Sequence, residues 1–465
     1  MTYKEHFKRN WILAWPVMLT QAGQIMVNVV DNIMVGALGS SRDIVLNPEL
    51  GKISLGAVSL GNAVFFTILV TAFGFSFAMS PLIAQADARK NRAQVNAYLS
   101  HGLVLNLSLA VLLMIVVFLA APFMYYLKQP IEVVDQAIPY LKIMAYSMIP
   151  MMIFQSFRQF SEGISLTIIV TIATLVANLF NIAANYALIY GNWGFPRMEV
   201  EGAAWGTMIS RILMMIFIII AMFQYRKSRF YLRKTGKIIW QKSIFNKLTK
   251  LGTPTALQMF FEVSTFSVAA FICGMAGVTD LAAHQIALNL ASTTFMLCVG
   301  ISVAATVRVG NQLGLHQYNV MRQAGISSIF MVAIFMIFCG ILFVVFRYQL
   351  PQIYIENTAV ITLTAQLLII AAFFQLSDGV QVVTLGALRG MQDVNIPTII
   401  TLVAYFVLTI PLGYFLTITM KMGAMGMWIA LGIGLTFSAV LLIMRFQKIS
   451  LQRMRDKPNI SDLKA

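Results

Sequence analysis

The chain has 465 residues, a net charge of +16, 59% hydrophobic and 11% charged residues, and a mean hydropathy of +0.80. Soluble domains carry about 25% charged residues, so a chain this apolar would leave hydrophobic surface in water if it folded around one aqueous core. Its positive charge sits in short segments between apolar runs, the pattern of loops facing anionic headgroups, which argues for a lipid surface and against nucleic acid. Cys273, Cys298 and Cys339 lie inside apolar runs with no Cys-x-x-Cys pair, as expected of small buried hydrophobes. His6, His101, His284 and His316 have no metal-ligand spacing, and no phosphate-binding Gly-x-x-x-x-Gly-Lys-Ser/Thr loop is present, so neither a resident cofactor nor an ATP-driven pump is expected. No nucleophile–base pair or metal cluster suggests an enzyme. The first apolar stretch, Trp11 to Leu38, is too long for a cleavable signal peptide and contains Asp31.

A membrane-crossing helix needs about 20 mainly apolar residues. In chain order, spans are predicted at 11–38, 53–83, 95–120, 137–157, 165–190, 202–223, 251–273, 281–306, 323–346, 359–385, 396–418 and 424–445. The runs are continuously apolar rather than alternating, which excludes a transmembrane barrel. Lys and Arg sort unevenly between the loops. With the N-terminus inside, 25 fall on the inner side, nine of them between Arg226 and Lys250, including Arg158, Arg308 and Arg389. Six fall on the outer side: Arg42, Lys52, Lys128, Arg197, Arg347 and Lys421. That asymmetry predicts cytoplasmic termini in a bacterial inner membrane.

The basic stretch 225–250 separates two similar halves, a bundle over 1–224 and a bundle over 251–448, with a cytoplasmic tail at 449–465. Pro16, Leu19, Gly36 and Gly39 recur as Pro254, Leu257, Gly274 and Gly277, 238 residues later. Arg158 and Arg389 are each followed four residues on by an acid, Glu162 or Asp393. The expected fold is all-α and polytopic, with twelve transmembrane helices in two pseudo-symmetric six-helix bundles. Parallel repeats of six spans are related by an axis along the membrane normal.

A charge inside the bilayer costs a few kcal/mol, and three acids lie well inside spans: Asp31, Glu262 and Asp378. Gln24, Asn28 and Asp31 share one helix face by their spacing, which should point to the protein interior or a water-filled cavity. Span five carries Asn178, Asn181 and Asn185 on one face. Such carboxamides suit either Na⁺ coordination or interhelical hydrogen bonding. Glu262 follows Pro254 by eight residues, and Asp378 follows Ser377. Carboxylates in this setting suit a hard cation such as Na⁺ or a transferable proton. The competing expectation is a permanent pair with a buried base, for which Arg211 is the one obvious deep candidate. The 29 Met and 33 Phe serve packing and lipid contact, or line an adaptable cleft whose aromatic faces favour lipophilic cations.

The stretches from Gly300 to Gly314, Ala387-Leu-Arg-Gly-Met-Gln-Asp393 and Ile410-Pro-Leu-Gly-Tyr414 resemble the multidrug and toxic compound extrusion (MATE) family. Within it they resemble the NorM-like branch. Asn181-Ile-Ala-Ala-Asn185-Tyr with Gly202-Ala-Ala resembles its fifth and sixth spans. The resemblance implies a secondary antiporter that exports amphipathic, mostly cationic drugs and dyes in exchange for Na⁺ or H⁺. It assigns cation coupling to Asp31, Glu262 and Asp378, with Na⁺ held by Glu262 and Asp378. It makes Asn181 and Asn185 the span-five partners of Asp31; Gln24, Asn28, Asn178 and Ser377 are expected, from their positions in the sequence alone, to be supporting polar or cleft residues. Asn185 stands where some relatives carry Asp, and Ala183 where the family has Pro. A flippase for lipid-linked or polysaccharide precursors is the alternative, and it calls for more deep cations than Arg211.

Overall fold

A computed structural model of the chain describes residues 3–38, 48–127, 129–232 and 240–455. Arg42, Lys128, the middle of the basic stretch and the tail from residue 456 lie outside the described residues. All regular structure among the described residues is helical. The helices are α1 (Tyr3–Gly36), α2 (Pro48–Ser76), α3 (Met79–Ala88), α4 (Arg92–Ala120), α5 (Ile131–Tyr146), α6 (Met148–Gly163), α7 (Thr167–Tyr190), α8 (Glu199–Gln224) and α9 (Arg226–Leu232). They continue with α10 (Lys242–Ala276), α11 (Val278–Gly314), α12 (Tyr318–Val345), α13 (Gln349–Gln352), α14 (Thr358–Gly390), α15 (Asn395–Leu402), α16 (Ile410–Tyr414) and α17 (Ala424–Arg455). Among the described residues eleven helical stretches are long and apolar enough to cross a membrane, and the pair α5 and α6, bent by 41°, brings the number to twelve when counted as one span. The chain is therefore a multi-pass membrane protein, and each predicted span falls on one of these stretches.

The helices run beyond the predicted windows. α11 extends eight residues past the predicted inner end at 306, and α14 extends five past 385. Hydropathy marks only the part of a helix that faces hydrocarbon, whereas the backbone ladder continues past it. As a result Arg158, Arg308 and Arg389, assigned from sequence to inner loops, all sit on helices. Arg158 and Arg308 are buried.

Local chemistry explains the irregular places. Asn357 caps α14 by accepting from the amides of Ala359 (3.0 Å) and Val360 (3.3 Å). Gly191 ends α7 at φ +75°, a left-handed conformation that glycine adopts without strain. Span eleven is π-helical over Val403–Thr409 and again over Phe415–Thr419, either side of α16. Pro411 lies between them and has no N–H to continue the α ladder. The Thr409 hydroxyl donates to the carbonyl of Ala404, five residues back, at 2.8 Å.

The described chain forms two compact units. One comprises the N-terminal residues up to Met18, Ala84–Asn91 and the chain from Leu257 onward; the other comprises Leu19–Ile83 and Arg92–Ala256. The divide does not follow the basic stretch. In the first unit the start of α1 packs on α11 and α12: Arg308 donates to the carbonyl of His6 (2.9 Å) and to Asn10 Oδ1 (2.7 Å), and Asn10 Nδ2 donates to Ser328 (2.8 Å). Residues 84–91 join the same unit through Arg89, which donates to the carbonyl of Gly314 at 2.9 Å.

The most extensive helix pair is α11 with α14. Small residues allow the backbones to approach: a Cβ on Gly386 would lie 2.5 Å from the Ser302 carbonyl. The Ser302 hydroxyl donates to Val382 O (2.7 Å), and the Thr306 hydroxyl donates to Gly386 O (2.8 Å). Interhelical hydrogen bonds in membranes average about 0.6 kcal/mol each, so close packing contributes the larger share. This contact fixes α14, the helix that carries Asp378.

Candidate functional site

In the unit containing most of α10 and all of α14, Glu262 and Asp378 face a common polar cluster. Asp378 is buried and Glu262 half-buried. Their charges are close enough to interact, and both also act on the buried Tyr405. Tyr405 comes from the π-helical part of span eleven. Among the described residues neither acid has a basic group within 4 Å. Two carboxamides flank Asp378 one turn to either side on α14. Gln375 donates to the Thr294 hydroxyl at 2.9 Å, and Gln381 donates to the Tyr405 hydroxyl at 2.5 Å. With their NH₂ groups held this way, Gln375 Oε1 and Gln381 Oε1 are both buried and have no hydrogen-bond partner among the described residues. Buried polar atoms are normally satisfied. Two unsatisfied carboxamide oxygens beside two carboxylates form a hard, oxygen-rich donor set, which suits an alkali cation rather than a transition metal. No group of three His, Cys, Asp or Glu converges among the described residues. Ser377 is engaged elsewhere, and its hydroxyl bonds that of Thr436 at 2.8 Å.

Arg389 also belongs to this cluster. Its Nη2 donates to Gln258 Oε1 at 3.3 Å, and its charge acts on Glu262. Arg211 is therefore not the one deep base, contrary to the sequence expectation. Arg389 was placed in an inner loop because it lies past the apolar window, although α14 continues through it.

In the other unit, Asp31 is half-buried on α1 and its partner is a neutral amide. Asn185 Nδ2 donates to Asp31 Oδ1 at 2.6 Å and more weakly to Asn181 Oδ1 at 3.3 Å. The α7 spacing of four residues sets these two asparagines on one face, as expected. α8 approaches at Gly206 so closely that a Cβ there would lie 1.9 Å from Asn185 Oδ1. Arg211 is within electrostatic range of Asp31, but its guanidinium donates to the Ser147 hydroxyl (2.5 Å) and lies over the Phe65 ring at 5.0 Å. Ser147 is the break between α5 and α6, so that bend supplies the hydroxyl holding Arg211. The Tyr140 hydroxyl, also in range of Asp31 and Arg211, donates to Asn62 Oδ1 at 2.9 Å. Gln24, Asn28 and Asn178 do not join the Asp31 hydrogen bonds among the described residues. Asn28 is exposed, and Asn178 Nδ2 is buried with no hydrogen-bond partner among the described residues.

Sequence reasoning missed Arg389, Tyr405, Gln375, Gln381 and Tyr140. For Gln375 and Gln381 a signal was available, since each lies three residues from Asp378. Gln258 likewise precedes Glu262 by four.

Known proteins resemble this chain over nearly its whole length. It is 30% identical over 458 residues to the multidrug resistance protein NorM of Photobacterium profundum, covering 97% of each chain. It is 31% identical over 449 residues to the multidrug resistance protein MdtK of Yersinia pseudotuberculosis, covering 95% of each. The fold matches the crystal structure of a eukaryotic MATE transporter with a TM-score of 0.84 at 17% identity, over 98% of this chain and 100% of that one. It also matches a MOP superfamily transporter from Pyrococcus furiosus with a TM-score of 0.86 at 20% identity, over 97% of each. The profile of the family described as MatE matches twice, over residues 16–187 and 254–415, so the repeat visible in the sequence is the family's own. With both halves matched and relatives aligned end to end, the chain belongs to the MatE family.

Proposed function

We propose that this chain is a multidrug efflux antiporter that exports amphipathic, mostly cationic compounds in exchange for Na⁺. The observation that carries this reading is the pair Glu262 and Asp378. These are membrane-embedded carboxylates without an ion-pair partner within 4 Å among the described residues, beside unsatisfied carboxamide oxygens. A carboxylate in hydrocarbon needs neutralisation, and an arriving cation supplies it. The relatives named as multidrug resistance proteins support the cargo class. Asp31, held by Asn185, is the coupling acid of the other unit. Coupling requires that cation and cargo favour different states of the protein, each through its own differential affinity. In this reading the protein sits in a bacterial inner membrane with both termini cytoplasmic, as the loop charges indicate.

The test is dye efflux in everted vesicles with Na⁺ and H⁺ gradients imposed separately. Glu262→Gln or Asp378→Asn is expected to abolish Na⁺-driven transport while the protein still inserts. A variant that exports at the wild-type rate under a Na⁺ gradient refutes the assignment.

A further inference from the structure

α8 stops at Gln224, Tyr225 is extended at φ −71° and ψ 130°, and α9 starts at once with Arg226 and Lys227. The Ser228 hydroxyl shares its proton between the carbonyls of Met222 (2.7 Å) and Tyr225 (3.1 Å), which ties α9 to the last turn of α8. Arg226 is exposed. The Lys227 ammonium donates to the carbonyl of Ile164, on the approach to α7. Two cations thus stand where the start of α7 meets the end of α8. The acid nearest in sequence to Ile164 is Glu162, which is buried and paired with Arg158 at 2.8 Å, so it does not offset them. Next to these cations α7 and α8 leave a groove of about 270 Å³ lined by Ile169, Ile172, Phe217, Ala221, Gln224 and Tyr225. The spacings of three and four set these residues on one face of each helix. Ile220 and Phe223, beside the groove on α8, are exposed, so it opens to the surface that hydrocarbon covers. All of these residues belong to one compact unit.

We propose that this groove binds one anionic phospholipid, with an acyl chain along Ile169, Ile172, Phe217 and Ala221 and the headgroup phosphate at Arg226 and Lys227. The order of the lining, apolar on the spans and then polar and cationic at their ends, is the order of the parts of a phospholipid. Tyr225 stands at the change, where tyrosine is enriched in membrane proteins. The groove is open and smaller than the roughly 300–1,000 Å³ of small-molecule pockets, and its cations repel a cationic guest. A lipid tail gains little from leaving tails that are equally apolar, so the charge makes the selection and the groove fixes the place. Each basic side chain near the surface favours an anionic lipid by about fivefold. Two give about 25-fold over a zwitterionic lipid with the same chains.

The experiment is native mass spectrometry of the purified, delipidated full chain, titrated in one detergent with dioleoyl phosphatidylglycerol or dioleoyl phosphatidylcholine. Wild type is expected to take up one phosphatidylglycerol with about 25-fold preference. Arg226→Gln should lower that preference about fivefold, and Arg226→Gln with Lys227→Gln should bind the two lipids alike. Because Arg226 is exposed, the single variant tests the site even where loss of the Lys227 contact to Ile164 disturbs the fold. Ala221→Phe keeps both charges but fills the groove, and should lose the tightly held phosphatidylglycerol. Wild-type preference in Arg226→Gln overturns the proposal. So does one tightly held phosphatidylglycerol in Ala221→Phe, which would reduce the effect to surface charge without a site. Displacement of the lipid by millimolar inorganic phosphate would show a site for a free anion and overturn it equally.

Discussion

Gly206→Ala should disable Asp31 without touching it. The added methyl would lie 1.9 Å from Asn185 Oδ1 and 3.1 Å from its Cγ, where ordinary contact begins at 3.4 Å, and 3.3 Å from the Asn185 backbone nitrogen, a much smaller encroachment. Asn185 must therefore retreat by about 1.5 Å, which breaks its 2.6 Å hydrogen bond to Asp31. A hydrogen bond to a charged group is worth about 1.5–3 kcal/mol, or roughly ten- to 150-fold in an equilibrium. Dye export per molecule, normalised to membrane protein level, is expected to fall at least about tenfold. The decisive measurement is a double-mutant cycle with Asn185→Ala, which removes the obstructing amide. Once Asn185 is alanine, the closest neighbour left to the Gly206→Ala methyl is the residue 185 backbone nitrogen at 3.3 Å, a few tenths of an ångström to absorb, so the double variant should export nearly like Asn185→Ala alone. Additive losses would mean that the methyl acts by separating α7 from α8, and the reasoning would be wrong. Wild-type export by Gly206→Ala would refute it equally.

Glu162→Gln leaves the Arg158 charge buried without compensation. Breaking one partner from a buried pair costs about 3–5 kcal/mol, whereas replacing both by apolar residues is often neutral. Thermal inactivation in detergent should therefore occur well below the wild-type temperature for Glu162→Gln, and near it for Arg158→Met with Glu162→Leu; equal midpoints for the single variant and wild type would contradict this. Asp31→Asn retains the shape of the Asn185 contact but removes its charge. Dye resistance of cells expressing it is expected to fall, and unchanged resistance at equal protein level would count against a coupling role.

How much of this was legible in the sequence depended on whether one helix or two decided the matter. The spans were readable because an apolar run of sufficient length has few alternatives in lipid. Asn181 and Asn185 were readable as one face because their spacing is a property of α7 alone. Gln24 and Asn28 share Asp31's face by the same rule, yet they stay out of its hydrogen bonds, because spacing gives a direction and not the group standing opposite. Arg389 required knowledge that α14 continues past its apolar stretch and there meets Gln258 of α10. Tyr405 was hidden more deeply. It lies near the start of the π-helical segment Val403–Thr409, and its hydroxyl meets Gln381 of α14, a partner on another helix that no period counted along span eleven reveals.

The contact between Arg308 and the start of α1 has a bearing on biosynthesis. His6 and Asn10 leave the ribosome about 300 residues before the arginine that completes them. At about 5–20 residues per second, the first helix spends on the order of fifteen seconds to a minute with these polar groups unmet. A fragment ending in the basic stretch would therefore emerge with an unfinished edge, and two halves made as separate polypeptides would have, in that edge, a means of recognising each other.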